Sequence, residues 1–586
     1  MNAAGATCVR LLGRPRLQRA GQALPPPQGR KAWALLALLV LSPAAPSRRQ
    51  VAELLFGEAQ DPLAALRWST AALRRALGGA GSLGGDPLVL TWADGVEVDA
   101  VLLGRGTWRP GFDGELLEGL ALADSPGFET WLLVERRRLS AAADAQLRES
   151  AVAALADGRA GEAATLAGRL AVRAPYEEEA QALLARSLVA AGDVVSARAH
   201  VAATTARFRR ELGQAPSPSL LAAAALPSGH ALPRPAPGAA GVRALLEAGR
   251  AATGAGAVDA GLDCLRRAGA DAERLGDASL RAVTSLALGS ALVHALRGRD
   301  EEGSVALHAA VREADRCGDG ATAATACREL GYVDVQAGRR ETAAHWLDRA
   351  AVLADGDDRE LAAVLGVRGM DLSDQGRTAE ALPVFAESVA RARRTGQLRQ
   401  AAYSLALAGR AHLLRDEDDA AEVLLDESLA LVHDERWMAF LPWPQVLRAE
   451  LDLRRGRIDA AASGLESSFQ LACQVADPCW EGMAARGLGV LAARAGDRRR
   501  AATWLDEATR RCTRWPDRYV WVQAHVLDAV CAAGLPGART AVTELLDLAG
   551  RTGLRGFLDR AHQHATRLGV PGAAEAGRYR AGTRPT

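Results

Sequence analysis

Lysine is almost missing from this chain: Lys31 stands alone among 71 basic residues, and all the others are arginine. The bias toward Arg and Ala is that of a GC-rich genome, such as an actinobacterial one. It also removes a function class. A phosphate-binding Gly-x-x-x-x-Gly-Lys-Ser/Thr loop needs its lysine to neutralise the terminal phosphates, and Lys31 is followed by Ala32. Cysteine is sparse as well. Eight are scattered with no C-x-x-C pair, and Cys473 and Cys479 stand six apart without partners nearby, so they read as small buried hydrophobes in a reducing compartment. His562 and His564 are two apart and cannot share a helical face, so no metal site is expected. Neither H-E-x-x-H nor G-x-S-x-G occurs. No cofactor and no catalytic constellation is expected. The longest apolar run, Ala32 to Leu41, is about half a membrane span. No basic start with a cleavage site is present, so the expectation is a cytoplasmic chain without membrane contact.

Net charge is only +1 over 586 residues. Any nucleic-acid footprint must therefore be local. Residues 1–100 hold 11 Arg or Lys against 7 Asp or Glu, a local +4, which leaves about −3 for the rest.

The first hundred residues order themselves by their breaks. Val9–Leu12 and Arg16–Arg19 read as strands joined near Ala20-Gly21, with Ala23-Leu24 returning. Lys31–Leu41, apolar on all sides, reads as a buried helix ended by Ser42-Pro43. Ser47, three residues before Gln50, opens a second helix through Phe56 in capping-box spacing. Asp61-Pro62 is an N-cap followed by proline at the first helical position, and Gly78-Gly79 stops that third helix after Leu77. Leu88–Leu90 and Val96–Val98 flank Ala93-Asp94-Gly95 as a hairpin, the expected wing, which has no arginine. A small sheet, three helices and a hairpin form a winged helix-turn-helix, whose third helix can enter the major groove. There Leu63, Leu66, Thr70, Leu73 and Leu77 are expected to face inward, Trp68, Ala71 and Arg75 outward, and Arg67 and Arg74 to flank the seam. Arginine can bond guanine or phosphate, and tryptophan can pack on a sugar or a thymine methyl. The candidate DNA contacts are Arg48, Arg49, Arg67, Trp68, Arg74 and Arg75.

Beyond this block, Phe112–Gly119, Phe128–Leu132 and Glu135–Leu139 are followed at a distance by Phe208–Gly213 and Pro216–Pro218. Gly158 and Gly192 lie 34 residues apart, the period of tetratricopeptide repeats. Phe128 and Trp131 read as core or interdomain packing. A proline-rich stretch with Pro227, Pro233, Pro235 and Pro237 reads as a linker. A turn motif then recurs at Gly298, Gly338, Gly376, Asp416, Gly456 and Gly496, in steps of 38 to 40, with weaker copies near Gly256 and Gly534. Two helices per unit at that period mean a TPR-like solenoid. Trp346 and Trp504 each fall eight residues after their repeat glycine, as core positions would. Trp437, Phe440, Trp443, Trp480, Trp515, Tyr519 and Trp521 are dense in a chain only 4% aromatic. Two readings stand for them: a ligand or peptide groove, or packing of irregular repeats.

The fold expected is mainly α, with an N-terminal winged helix-turn-helix on a small antiparallel sheet followed by a TPR-like α-solenoid. The expected divisions are 1–105 winged helix, 106–222 helical block, 223–241 linker, 242–570 repeats arranged independently of the first half, and a disordered tail over 571–586. Ala65–Gly78, with Arg30-Lys31-Ala32 and Val51–Phe56, resembles the DNA-binding domain of SARP-type transcriptional activators, and residues 112–218 resemble their bacterial transcriptional activation domain. Ala72 stands where that family often carries a basic residue, and Phe56-Gly57 replaces its usual Trp-Pro. The resemblance implies a transcription regulator, an activator, with DNA and RNA polymerase as partners, a homodimer on DNA, and a protein or small effector on the repeats. The other reading is a scaffold or signalling adaptor whose winged helix no longer binds DNA.

Overall fold

The computed structural model describes residues 7–42, 44–107, 109, 111–112, 114–224, 238–254, 257–295, 299–475, 477–513 and 519–570. Pro43, Gly256, Gly298, Trp515, most of the 223–241 linker and the 571–586 tail, all named above, lie outside them. The described residues fall into two compact units: those of 7–146 with 558–570, and those of 147–557.

In the first unit, strands β1 (Thr7–Arg10), β2 (Arg16–Arg19) and β3 (Gln22–Leu24) form an antiparallel meander. Ala20 and Gly21 both take positive φ, as a two-residue hairpin turn requires. Helices α1 (Arg30–Leu41), α2 (Arg48–Phe56) and α3 (Pro62–Leu77) follow. Both N-caps form as the sequence indicates. Ser47 and Gln50 exchange their side-chain bonds, and Asp61 accepts from the Ala64 N–H at 2.8 Å. The hairpin differs from expectation. It consists of β4 (Gly81–Gly84) and β5 (Val89–Trp92), while β6 (Glu97–Val98) joins the first sheet beside β1, in parallel. That sheet is therefore mixed, in the order β3-β2-β1-β6, and not antiparallel throughout. Gly79, Gly81 and Gly84 match the glycine spacing of a dinucleotide loop, but they lead from α3 into a strand, the reverse of the strand-to-helix context such a loop needs.

Helix α4 (Asp99–Gly104) begins at a buried carboxylate: Asp99 accepts from the N–H groups of Leu11, Leu12 and Ala100 at 2.7–3.1 Å. The chain after β1 then pairs with a later segment, Leu117 N–H to Leu11 O and Gly13 N–H to Glu115 O. Phe112, Leu116, Phe128 and Leu132 share one core with Val9, Leu35, Leu55 and Leu73. Trp131 packs against it, as expected. Helix α5 (Pro126–Ala156) runs on for 31 residues.

The second unit is helical throughout its described residues. From residue 239 the helices pair antiparallel, 239–254 with 258–275 as the first pair and 520–533 with 538–552 as the eighth. The repeat signal marks the turns. Gly338, Gly376, Gly456, Gly496 and Gly534 all take a left-handed φ of 60–78°, and Asp416 takes the same place at 59°. The paired helices cross closely at a second glycine. A Cβ on Gly331, Gly409 or Gly489 would lie within 2.7–2.8 Å of the buried Leu347, Leu425 or Leu505, sixteen residues on in each case. Gly409→Ala should thus cost about 1–3 kcal/mol by overpacking. Urea denaturation of the full chain checks this, and an unchanged midpoint would remove the crossing argument.

The expectation that the repeats are arranged independently of everything before the linker is overturned. Helices 160–173, 178–190 and 194–211 lie in the same unit as the repeats. Arg186 pairs with the buried Glu301 at 2.6 Å, Trp346 Nε1 donates to Glu149 at 3.0 Å, and Arg312 reaches the Ala156 carbonyl. Trp346 is buried as expected, but its N–H bonds to α5. Trp504 is half-buried against Phe469.

Candidate nucleic-acid interface

Helix α3 fixes its inner face through Leu66, Ser69, Thr70, Ala72, Leu73 and Leu77, all buried. Leu63 is not among them: it is 45% exposed at the start of the helix. Ala72 points into the core, so the absence of a basic residue there removes nothing from the outer surface. Leu63, Arg67, Trp68, Ala71, Arg74 and Arg75 are exposed. At 100° per residue they span one continuous face about 140° wide. Arg74 and Arg67 lie at the edge of that face, next to the buried Thr70, where they flank the seam.

The six predicted residues play different parts. Arg74 donates from Nε to the Leu83 carbonyl at 2.7 Å and so ties α3 to β4. Arg48 donates its backbone N–H to Asp86 and its Nε to the Gly85 carbonyl, both at 2.9 Å, holding the turn between β4 and β5. Leu88 N–H to Pro46 O is a third tie on that turn. The hairpin is thus held to α2 and α3, and residues 81–92 carry no basic side chain. Arg49 pairs with Glu53 one helical turn on, at 2.8 Å and fully in solvent. Arg67 lies 3.6 Å from Asp61, the cap of its own helix. Trp68, 53% exposed, lays its ring beside Gly29, where a Cβ would come within 3.1 Å of it. Arg75 has no hydrogen bond or ion pair among the described residues. Arg30, at the start of α1, is likewise exposed and unpaired among them; the sequence reading named it within the family resemblance but not as a DNA contact. The sign of charge could have found it; the +4 of this segment was counted without placing that residue.

The described aromatic residues of that stretch pack on one another. Trp443 stacks on Trp480 at 5.2 Å and meets Trp521 edge-on at 4.7 Å, while Trp437 stacks on Phe440 at 4.3 Å, all within one buried cluster. Among the described residues no cluster of His, Cys, Asp or Glu could hold a metal, and no helix is long and apolar enough to cross a membrane.

Comparison with known proteins agrees with the sequence reading in one region. Residues 111–225 match the family of the bacterial transcriptional activator domain. No curated protein matches the chain significantly. Solved structures similar to it include a Rap protein complexed with competence and sporulation factor, at 12% identity and TM-score 0.43, covering 58% of this chain and 95% of that one. Aspartyl phosphate phosphatase F from Bacillus subtilis is similar at 10% identity and TM-score 0.37, covering 77% and 96%. Mycobacterium tuberculosis EmbR, in complex with a low-affinity phosphopeptide, is similar at 20% identity and TM-score 0.29; 38% of this chain is covered, spanning 64% of EmbR. Likenesses at these scores carry no argument about function. The stretch that matches the bacterial transcriptional activator domain, residues 111–225, lies in the chain between an N-terminal block of small sheets and three helices and an array of paired helical repeats.

Proposed function

We propose that the chain is a DNA-binding transcriptional activator of the cytoplasm, not an enzyme. Residues 1–105 would hold DNA, 106–222 would contact RNA polymerase, and 242–570 would receive a protein or small effector. The observation that carries this reading is the outer face of α3, where Arg67, Trp68 and Arg75 stand exposed beside a hairpin fixed by Arg48 and Arg74. Arg67 and Arg75 would meet base edges, Trp68 a sugar or thymine methyl, and Arg49 a phosphate. A homodimer would place two such helices on successive major grooves.

Binding of this kind releases counterions. Each phosphate contact should lower affinity about threefold between 50 and 200 mM salt. Fluorescence anisotropy over a salt series reads the slope; a flat response would exclude phosphate contacts as the source of binding. One observation favours the adaptor reading. The hairpin has no basic side chain, so a winged helix that has lost DNA would look similar there. The salt series separates the two, because an adaptor shows no DNA binding at any salt. The missing phosphate-loop lysine leads to a further expectation. ATP should leave the melting temperature unchanged, since any ligand of the native state raises it. A shift of several degrees at millimolar ATP would contradict this.

A further inference from the structure

The helix of residues 194–211, inside the stretch that matches the activator domain, carries four arginines against one glutamate, in a chain whose net charge is only +1. Two of the four are engaged. Arg207 donates to the Pro175 carbonyl at 3.3 Å, and Arg210 pairs with Glu211. Arg198 and Arg209 are exposed and have no hydrogen bond or ion pair among the described residues. They stand eleven positions apart, which is three turns of helix, so both leave the same face with about 16 Å between them.

The two arginines line a groove of about 590 Å³. Its floor is Ala202, Thr205 and Ala206, and its far wall is Leu221 and Ala224, in and just after the short helix Pro218–Ala222. Thr205 donates its hydroxyl back to the Val201 carbonyl at 2.8 Å, which leaves the floor apolar. Leu220 and Ala223 fasten the short helix to Ala197 and Val201. Leu221 has no part in that cluster and is 49% exposed, and Val195, one turn before Arg198, is 81% exposed. Large apolar side chains left in solvent beside a groove mark a surface that another element covers. The chain's own following segment, residues 225–237, lacks the charge to match it: it holds Arg234 and no acid, and the first acid after Glu211 is Glu247. A nucleic-acid backbone carries charge along its whole length and would leave the apolar floor and Leu221 without a partner. A surface that is apolar along its length and cationic at both ends fits an amphipathic helix with carboxylates at the same spacing.

We propose that this groove docks an acidic amphipathic helix of another protein, with one carboxylate on Arg198, a second three turns along on Arg209, and apolar side chains between them against Ala202, Ala206 and Leu221. The docking site rests on the reading of 106–222 as the part that contacts the transcription machinery, and it gives that contact a place and a chemistry.

The test places the photo-crosslinker p-benzoylphenylalanine at Ala202, and separately at Ala206, of the full chain in the cells that produce it, and maps the attached segment by mass spectrometry. The expected product joins the groove to a helical segment of another protein with two acidic residues about eleven positions apart. Arg198→Glu/Arg209→Glu should abolish that product at an unchanged melting temperature, because both side chains are exposed and unpaired among the described residues. The captured segment, made as a peptide, should bind the double variant about tenfold more weakly than the wild type, the worth of two ion pairs at a surface. Lysines in place of the peptide's two acids should restore binding to the variant. No crosslink, a crosslink to DNA, to residues 225–237, to a second copy of this chain or to a segment without acids, or a peptide indifferent to the charge reversal, would overturn the proposal. An acidic helix from a protein other than RNA polymerase would uphold the groove and remove the polymerase reading, so the two fail separately.

Discussion

Replacing Arg67 and Arg75 together by alanine is expected to weaken DNA binding by about 2–6 kcal/mol, thirtyfold or more, because each base-reading arginine contributes about 1–3 kcal/mol. Both side chains are exposed on the outer face of α3, and neither supports the core, so the melting temperature should hold. Arg74→Ala serves as the contrast. Its Nε holds the Leu83 carbonyl, so its loss should lower thermal stability along with affinity. Arg49→Ala, whose side chain is in solvent beside Glu53, should shift affinity only at low salt. Anisotropy and thermal melting on the three variants separate these roles. Undiminished binding in the double variant would remove α3 as the reading element.

The second large effect concerns the joint between α5 and the repeats. Glu149 accepts from Trp346 Nε1 and lies 3.0 Å from His308 Nε2, deep in the second unit. Burial alone would push its carboxyl upward. The opposing charges of His308, Arg148 and Arg339 outweigh burial and hold it well below the usual carboxylate range. Such a group stabilises the fold above its ordinary pKa, and that contribution is lost as pH falls below it. Glu329 follows the same rule: burial is outweighed by His294 and Arg328, and its carboxyl is held at about 2. Glu149→Ala, which leaves a buried cationic neighbourhood without its anion, should cost about 3–5 kcal/mol. It should also flatten the loss of stability on acidification from neutral pH toward pH 3. Urea denaturation across that range measures both. A variant that keeps the wild-type acid dependence would show that this joint does not carry it.

The sequence was most informative where one residue type answers one local need. Ser47 with Gln50, and Asp61 with Pro62, placed α2 and α3 because capping is decided within four residues. The repeat turns were legible because each needs a left-handed residue, and even Asp416 betrayed itself by position. The hairpin was misplaced for a physical reason. Gly81–Gly84 has almost no strand propensity, and its pairing is settled across the turn, by Ser82 against Thr91 and Leu83 against Leu90. Val96–Val98 was legible as a strand, but its partner was not: β6 pairs with β1, some ninety residues earlier, and not across the Asp94-Gly95 turn. The close-crossing glycines could have been found: Gly331, Gly369, Gly409 and Gly489 each precede a large apolar residue by sixteen. The joint of Arg186 with Glu301, 115 residues apart, leaves no such trace. The proline-rich composition suggested separable halves only because composition says nothing about docking.

The outer face of α3 is where the proposed function is most exposed to test. Genome-wide footprinting in living cells should give discrete protected sites with the wild-type chain and lose them with Arg67→Ala/Arg75→Ala at equal protein abundance. Protection that persists in the double variant, or none with the wild type, would contradict the account.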